Sequence, residues 1–281
     1  GVAGVDGLMS AHSQQPQQKL TVRSLQAMKQ AGEKIACLTA YDASFAHVLD
    51  NAGVDVVLVG DSLGMVVQGN ETTLPVTVSD MLYHSRAVSR GLNRAMLMVD
   101  MPYLSYTSTQ QALQNAGRFM KQAGAQMVKL EGGAEQVGIV SCLAQNGIPV
   151  CAHLGLQPQR IHKLGGYRVQ GREQDAADAM LDEAQQLEQA GADMMLLECV
   201  PQALADDITR ALGIPVIGIG ASAGCDGQIL VLYDILGVSK GRIPKFSRDF
   251  IVETGNIEAA VRAYVDAVKT GRFPGSEHVF S

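Results

Sequence analysis

Residues 52–61 read Ala52-Gly53-Val54-Asp55-Val56-Val57-Leu58-Val59-Gly60-Asp61. An amphipathic stretch stops at a glycine, which closes a helix by taking the left-handed conformation, and an apolar run follows almost at once. That run, Val56 to Val59, is the pattern of a strand buried on both faces. It ends in an acid. The same join recurs at Ala123-Gly124, Asn146-Gly147, Ala190-Gly191 and Leu212-Gly213. Repeated helix-to-strand joins imply βα units and hence a parallel sheet.

Working outward, the candidate strands are Lys34–Ala40, Val54–Asp61, Ala95–Asp100, Met127–Glu131, Ile148–His153, Met194–Val200, Ile214–Gly220 and Gln228–Tyr233. Eight strands alternating with helices predict an α/β fold of the (β/α)8 TIM barrel kind rather than an open sheet. Ser108 and Gln111 have capping-box spacing, followed by Leu113, Ala116, Met120 and Ala123 on one helical face. Met180, Leu181, Ala184 and Leu187 repeat that face later in the chain. The seventh connection holds only about seven residues, too few for a helix, so a local irregularity must replace it. Val22–Ala31 reads as an extra helix under the barrel, and Ile257–Lys269 as a final amphipathic one. Gly165–Arg172 is a long loop after the fifth strand, and long loops in compact domains usually serve function. Residues 19–281 read as one barrel domain, preceded at 1–18 by a Gly-, Ser- and Gln-rich disordered tail.

Composition agrees with a buried parallel sheet. Of 281 residues, 47% are hydrophobic and only 5% aromatic, with no Trp, so Val, Ile, Leu, Met and Ala must fill the core. The net charge is −6 and no basic run stands out, which argues against a nucleic-acid partner. No apolar stretch approaches the roughly 18 residues of a membrane span, and the first residues lack the basic start and apolar core of a secretory signal. Cys37, Cys142, Cys151, Cys199 and Cys225 are odd in number and widely spaced, which fits free thiols in a reducing cytoplasm.

How the strands end is more informative. Asp61, Asp100, Glu131, His153 and Glu198 close or nearly close apolar runs, and Lys129 precedes Glu131 by two residues, on the same side of its strand. In a barrel these ends converge on the face where active sites are built. Taken singly, each acid reads as a helix cap or a solvated strand end. As a set they would be costly to bury without compensation, and a metal ion with mutual pairing supplies it. Asp61, Asp100 and Glu131 are hard oxygen donors with no Cys or His beside them, which favours Mg²⁺. His153 also reads as a core histidine bonded to backbone, and Tyr41 with Asp42 as a cap for the next helix. Gly218-Ile219-Gly220, with Gly224 and Gly227, reads as a tight connection more readily than as a phosphate cradle.

Several strings resemble the ketopantoate hydroxymethyltransferase family: Leu38-Thr39-Ala40-Tyr41-Asp42, Val59-Gly60-Asp61-Ser62-Leu63-Gly64-Met65, and Thr73-Leu74-Pro75-Val76-Thr77. Met127–Gly133, Gly165-Gly166-Tyr167, Val169–Arg172, Gly218–Ala221, Phe273-Pro274-Gly275 and Glu277-His278 do so too, in order from about Leu20 onward. The resemblance implies a barrel of the phosphoenolpyruvate/pyruvate type. It implies transfer of the methylene carbon of 5,10-methylenetetrahydrofolate to 3-methyl-2-oxobutanoate, giving 2-dehydropantoate on the way to pantothenate. It also implies one Mg²⁺ per subunit at Asp61, Asp100 and Glu131, oxo-acid contacts from Asp61, Ser62, Asp100 and Lys129, Glu198 as proton acceptor, and a homo-oligomer, commonly a decamer. Ser222 stands where the family has Gly, which raises the question of loop conformation, and Arg168 stands for a usual Lys.

These residues suit enolate chemistry. Glu198, raised in pKa by burial among Leu and Met, takes the proton from carbon 3, and Lys129 stabilises the negative charge that develops. His153 orients substrate or relays a proton. Two rivals share the sequence features: a Mg²⁺-dependent C–C lyase of the isocitrate lyase type, and a non-catalytic barrel serving as a binding module.

Overall fold

The computed structural model describes residues 18–239, 241 and 243–281. Apart from Gln18, the expected tail lies outside the described residues. The strands are β1 (Ile35–Thr39), β2 (Val56–Val59), β3 (Met96–Asp100), β4 (Met127–Glu131), β5 (Val150–Gly155), β6 (Met194–Glu198), β7 (Val216–Ile219) and β8 (Gly227–Leu230). All eight are parallel to their neighbours, and β8 returns to β1 to close the barrel. At that seam a side chain at position 227 would sit 2.2 Å from the Ile35 carbonyl oxygen, so only glycine lets the two backbones approach.

The strand ends differ in detail from the expected ones, each for a local reason. β2 stops at Val59, and Asp61 begins a turn, its carbonyl accepting from Gly64 N at 3.0 Å, before the short helix Leu63–Val66. β6 stops at Glu198 because Cys199 takes φ +50°, a conformation rare outside glycine. β8 stops at Leu230, where the Thr39 hydroxyl accepts from Leu232 N at 3.0 Å and starts the helix Leu232–Ile235. β5 runs two residues further than expected, to Gly155. No helix stands between β7 and β8.

The helix Val22–Ala31 does lie under the barrel. Its Lys29 reaches Thr209 O at 3.0 Å, Ile214 O at 2.9 Å and Asp226 at 2.9 Å, all next to the N-terminal ends of β7 and β8. Helix Ile257–Lys269 packs along the β1–β8 seam, where Tyr264 Oη donates to Cys37 O at 2.8 Å. Helix Thr109–Ala123 is capped as expected at Ser108, but the reciprocal half of the box is absent: Gln111 Oε1 accepts from Thr107 N and Oγ1, both at 2.7 Å. Its buried face is Ala112, Ala116, Phe119 and Ala123; Leu113 and Met120 are only partly covered.

Asp55, fully buried at the lower rim, accepts from Ala36 N at 2.9 Å, Arg94 at 2.8 Å and Lys269 at 2.6 Å. Removing one partner of a buried charge cluster leaves the others desolvated and unpaired. Arg94 and Lys269 are about a quarter exposed, so water recovers part of the loss. Asp55→Ala is expected to cost about 2–3 kcal/mol in urea unfolding. A loss below about 0.5 kcal/mol would show the cluster to be dispensable.

Candidate active site

The register of β3 to β6 assembles the site. Asp100 pairs with Lys129 across β3 and β4, Glu131 with His153 across β4 and β5, and Gly155 with Glu198 across β5 and β6. Because these partners sit side by side at the C-terminal ends, their side chains share the barrel mouth. Asp61 arrives from the turn after β2, and its backbone N donates to Asp100 Oδ2 at 3.0 Å. Asp61, Asp100, Lys129, Glu131 and His153 are each no more than 5% exposed. All the strand-end residues singled out from the sequence therefore meet in one place.

Lys129 is the hub. Its Nζ lies 3.0 Å from Asp100 Oδ1 and 2.9 Å from His153 Nδ1. Burial alone would pull the ammonium's pKa down, but Asp100, Glu131 and Asp61 around it outweigh that and raise it, so the cation persists. It must then donate to His153 Nδ1, and His153 Nε2–H donates to Leu156 O at 2.8 Å. Burial first, and Lys129 second, hold the imidazole's pKa well below 6.5, so it stays neutral in this one tautomer. His153 is thus the backbone-bonded histidine, one of its two readings from the sequence, and its Nε2 lies 3.8 Å from Glu198 Oε2.

Glu198 is the candidate base. Its side chain is 13% exposed and its Oε2 is buried without a hydrogen-bond partner. Burial, then Asp61 and Asp100, outweigh the opposing Lys129 and push its pKa up to about 8. Its aim is set by backbone: Glu198 O accepts from Leu156 N at 2.8 Å, Cys199 turns the chain at φ +50°, and Cys199 O accepts from Gln170 N at 3.0 Å. A Cβ at position 155 would meet Glu198 O at 2.2 Å, so Gly155 is required for that approach.

Burial also raises Asp61, to about 7, and Glu131 well above the usual range, with neighbouring carboxylates adding to it. One buried oxygen, Glu198 Oε2, lacks a hydrogen-bond partner, and Asp100 Oδ1 meets only the Lys129 ammonium. A buried, carboxylate-rich mouth of this kind suits a divalent cation. Among the described residues no three His, Cys, Asp or Glu side chains form a ready-made metal cage. Mg²⁺ does not need one, since it takes one or two carboxylates and completes its shell with waters and substrate oxygens.

The raised carboxyls bind their protons more tightly in the folded chain, so their contribution to stability is lost as pH rises toward the folded values. Below pH 6.5 the depressed His153 works the opposite way, which confines a clean test to about pH 6.5–8. In chelator, the melting temperature is expected to fall by a few degrees across that window, and saturating Mg²⁺ to flatten the fall. A level profile in chelator would contradict it.

Tyr41 and Asp42 divide their roles. Asp42 caps helix Ala43–Asn51, accepting from Phe45 N at 2.8 Å. Tyr41, buried, shares a 2.8 Å hydrogen bond with Ser62 Oγ and so belongs to the site's rim. The 165–172 loop crosses above: Tyr167 Oη lies 4.0 Å from Met65 Sδ, and Arg168 is exposed. Ser222 does not take a positive φ; its hydroxyl donates to Asp206 and accepts from Gly224 N at 3.0 Å, closing the β7–β8 turn. Gly218 and Gly220 pack against Cys225 and Phe246, so they serve a tight connection. Sequence reasoning missed Tyr106 and Gln159. Gln159 Nε2 donates to Asp61 Oδ2 at 2.9 Å and its N to Glu131 Oε2 at 3.1 Å, and neither residue lies on a strand.

Comparison with known proteins gives this geometry its context. Residues 19–276 match the profile of the family described as ketopantoate hydroxymethyltransferase. The chain belongs to that family. A Halorhodospira halophila protein named 3-methyl-2-oxobutanoate hydroxymethyltransferase is 60% identical over 261 residues, covering 93% of this chain and 94% of that relative. A Shewanella loihica protein of the same name is 56% identical, covering 94% and 99%. Among solved structures, phosphoenolpyruvate phosphomutase from Streptomyces platensis superposes with TM-score 0.59 at 14% identity, covering 78% of this chain and 83% of that one. A 2,3-dimethylmalate lyase of the PEP mutase/isocitrate lyase superfamily gives 0.53 at 17%, covering 72% of each. These structures share the closed, eight-stranded parallel barrel with this chain. At such low identity they carry the fold alone, so the lyase alternative gains nothing from them.

Proposed function

We propose that the chain transfers the methylene carbon of 5,10-methylenetetrahydrofolate to 3-methyl-2-oxobutanoate, giving 2-dehydropantoate. The observation that carries this is Glu198: a buried carboxyl with a high pKa and an unpartnered oxygen, facing a mouth lined by Asp61, Asp100, Lys129 and Glu131. Family membership supplies the substrates.

In this reading Asp61, Asp100 and Glu131 hold one Mg²⁺, and Asp61, Ser62, Asp100 and Lys129 bind the oxo acid. The ion, when bound, withdraws charge from the substrate's carboxylate and keto oxygens and so acidifies carbon 3. Glu198 Oε2 accepts the carbon-3 proton as that C–H bond breaks. Lys129, already charged and fixed by Asp100 and His153, stabilises the negative charge that passes to the keto oxygen, at no reorganisation cost. Carbon 3 then bonds to the methylene carbon. Both bonds from that carbon to the folate nitrogens break: water supplies the new hydroxyl and a proton to one nitrogen, the proton held by Glu198 passes to the other, and tetrahydrofolate leaves. Neutral His153 holds Lys129 in place from one side and leaves Glu198 free of a fixed hydrogen bond on the other.

The test is proton–deuterium exchange at carbon 3 of 3-methyl-2-oxobutanoate by NMR, with Mg²⁺ and with chelator, before and after adding methylenetetrahydrofolate. Metal-dependent exchange followed by 2-dehydropantoate is the expected result. Exchange without product would favour the lyase alternative, and no exchange by folded protein the binding module. A homo-oligomer, a decamer by family resemblance, belongs to the same proposal and is checked by sedimentation. No described helix is long and apolar enough to cross a membrane, and a cytoplasmic location goes with this substrate set.

A further inference from the structure

Gln159 lies in the short 3₁₀ turn Pro158–Arg160 after β5, yet it is only 6% exposed and touches two of the three acids proposed to hold the cation. Every polar group of the residue except its carbonyl is directed at the site. Its Nε2 donates to Asp61 Oδ2 at 2.9 Å and to Met101 O at 3.0 Å. Its backbone N donates to Glu131 Oε2 at 3.1 Å. Its Oε1 accepts from Tyr106 Oη, and that hydroxyl in turn accepts from Glu131 N at 3.3 Å.

The chemistry of these partners leaves the amide one orientation. Met101 O can only accept, so it requires the NH₂ end. Tyr106 Oη, already accepting from Glu131 N, has its proton to give, and that requires the carbonyl end opposite. With both ends assigned, the second amide hydrogen can only go to Asp61 Oδ2. An amide turned the other way would set its single oxygen against both the Asp61 carboxylate and Met101 O, losing two hydrogen bonds in a buried site. Asp61 itself needs such a guide, because it lies in the turn beyond β2 and not in the sheet ladder that fixes Asp100, Lys129 and Glu131.

We infer that Gln159 is a positioning residue for the cation site, fixing the Asp61 and Glu131 carboxylates in one arrangement, and that Tyr106 is the lock on its amide. This rests on the proposed reading of Asp61, Asp100 and Glu131 as the acids that hold the metal. Gln159 acts through the two acids, holding one oxygen of each so that the remaining oxygens are preset. Hydrogen-bond partners of metal ligands commonly govern affinity about as strongly as this predicts.

The test is Mn²⁺ binding, followed by electron paramagnetic resonance of the free ion, in the full chain and in Gln159→Leu, Gln159→Glu and Tyr106→Phe. Gln159→Leu keeps the bulk and removes the donor; it is expected to weaken Mn²⁺ binding roughly tenfold or more. Gln159→Glu keeps the shape and sets a third carboxyl against Asp61, so it carries the comparison if the leucine variant does not fold. Tyr106→Phe leaves the donor in place but frees the amide, and a smaller loss in the same direction is expected. KM for the oxo acid should rise with the Mn²⁺ dissociation constant and fall back at high metal, a behaviour that a merely structural role would not produce. Wild-type Mn²⁺ affinity in both Gln159 variants, with a lowered melting temperature alone, would overturn the inference. If the unaltered chain bound no Mn²⁺, the metal reading itself would fall and this inference with it.

Discussion

Glu198→Gln is expected to stop hydrogen exchange at carbon 3 of 3-methyl-2-oxobutanoate while leaving oxo-acid binding within about twofold. The amide matches the carboxylate in shape and can still occupy the space beside Gly155 and Leu156, so the backbone contacts that aim the side chain survive. What it lacks is a lone pair basic enough to take a proton from carbon. General-base removal costs about 10²–10⁴-fold in rate, and the loss is largest where no neighbour substitutes. His153 is the nearest candidate, but its Nε2 proton is committed to Leu156 O and its Nδ1 lone pair to Lys129. Exchange retained within tenfold in the variant would remove Glu198 from the role. Exchange lost together with oxo-acid binding would mean that the glutamate shapes the pocket instead.

The second large effect concerns Lys129. Lys129→Met keeps the length of the side chain and removes its charge. Turnover is expected to drop about 10²–10³-fold, the usual loss when a preorganised stabiliser of a developing oxyanion is deleted. The opposite sign is expected for the metal: with its only buried cationic neighbour among the described residues gone, the cluster of Asp61, Asp100 and Glu131 should bind Mn²⁺ at least as tightly as before. That divergence separates an electrostatic role in the reaction from a role in assembling the site, for which both quantities would fall together. His153 supplies an internal control. Without Lys129 its Nδ1 loses both a donor and a repelling charge, so its imidazole proton signals should shift in the NMR spectrum.

The parts of this molecule that repeat were the legible parts. Gly-terminated helices followed by aliphatic runs announce a parallel sheet because each join states its own geometry, and Asp61, Asp100, Lys129, Glu131 and Glu198 stand out because charge at the end of an apolar run is costly. Strand limits were less readable. Cys199 carries no sign in its side chain that its backbone turns left-handed, and nothing in Gly227–Tyr233 says that Thr39, far away in the chain, will end the strand. Tyr106 and Gln159 were invisible for a related reason. Each lies in a loop with no periodicity, and a polar residue in a loop is ordinarily solvated; only the fold carries them inward. Ser222 shows the converse. A departure that looked strained by its position turned out to have ordinary backbone and a useful hydroxyl.

The seam where Ile35 pairs with Gly227 joins nearly the first strand residue of the protein to nearly the last. A chain leaving the ribosome therefore carries β1 with an open edge until β8 has been made, and the helix Ile257–Lys269 that braces the seam emerges later still. Closure waits for β8, and contacts so distant in the chain make it slow. For most of translation Ile35, Cys37 and Leu38 of that edge strand lack the cover that β8 will give them. An unpaired, apolar strand edge is where neighbouring copies join, so closing the ring removes the very surface through which this chain would aggregate.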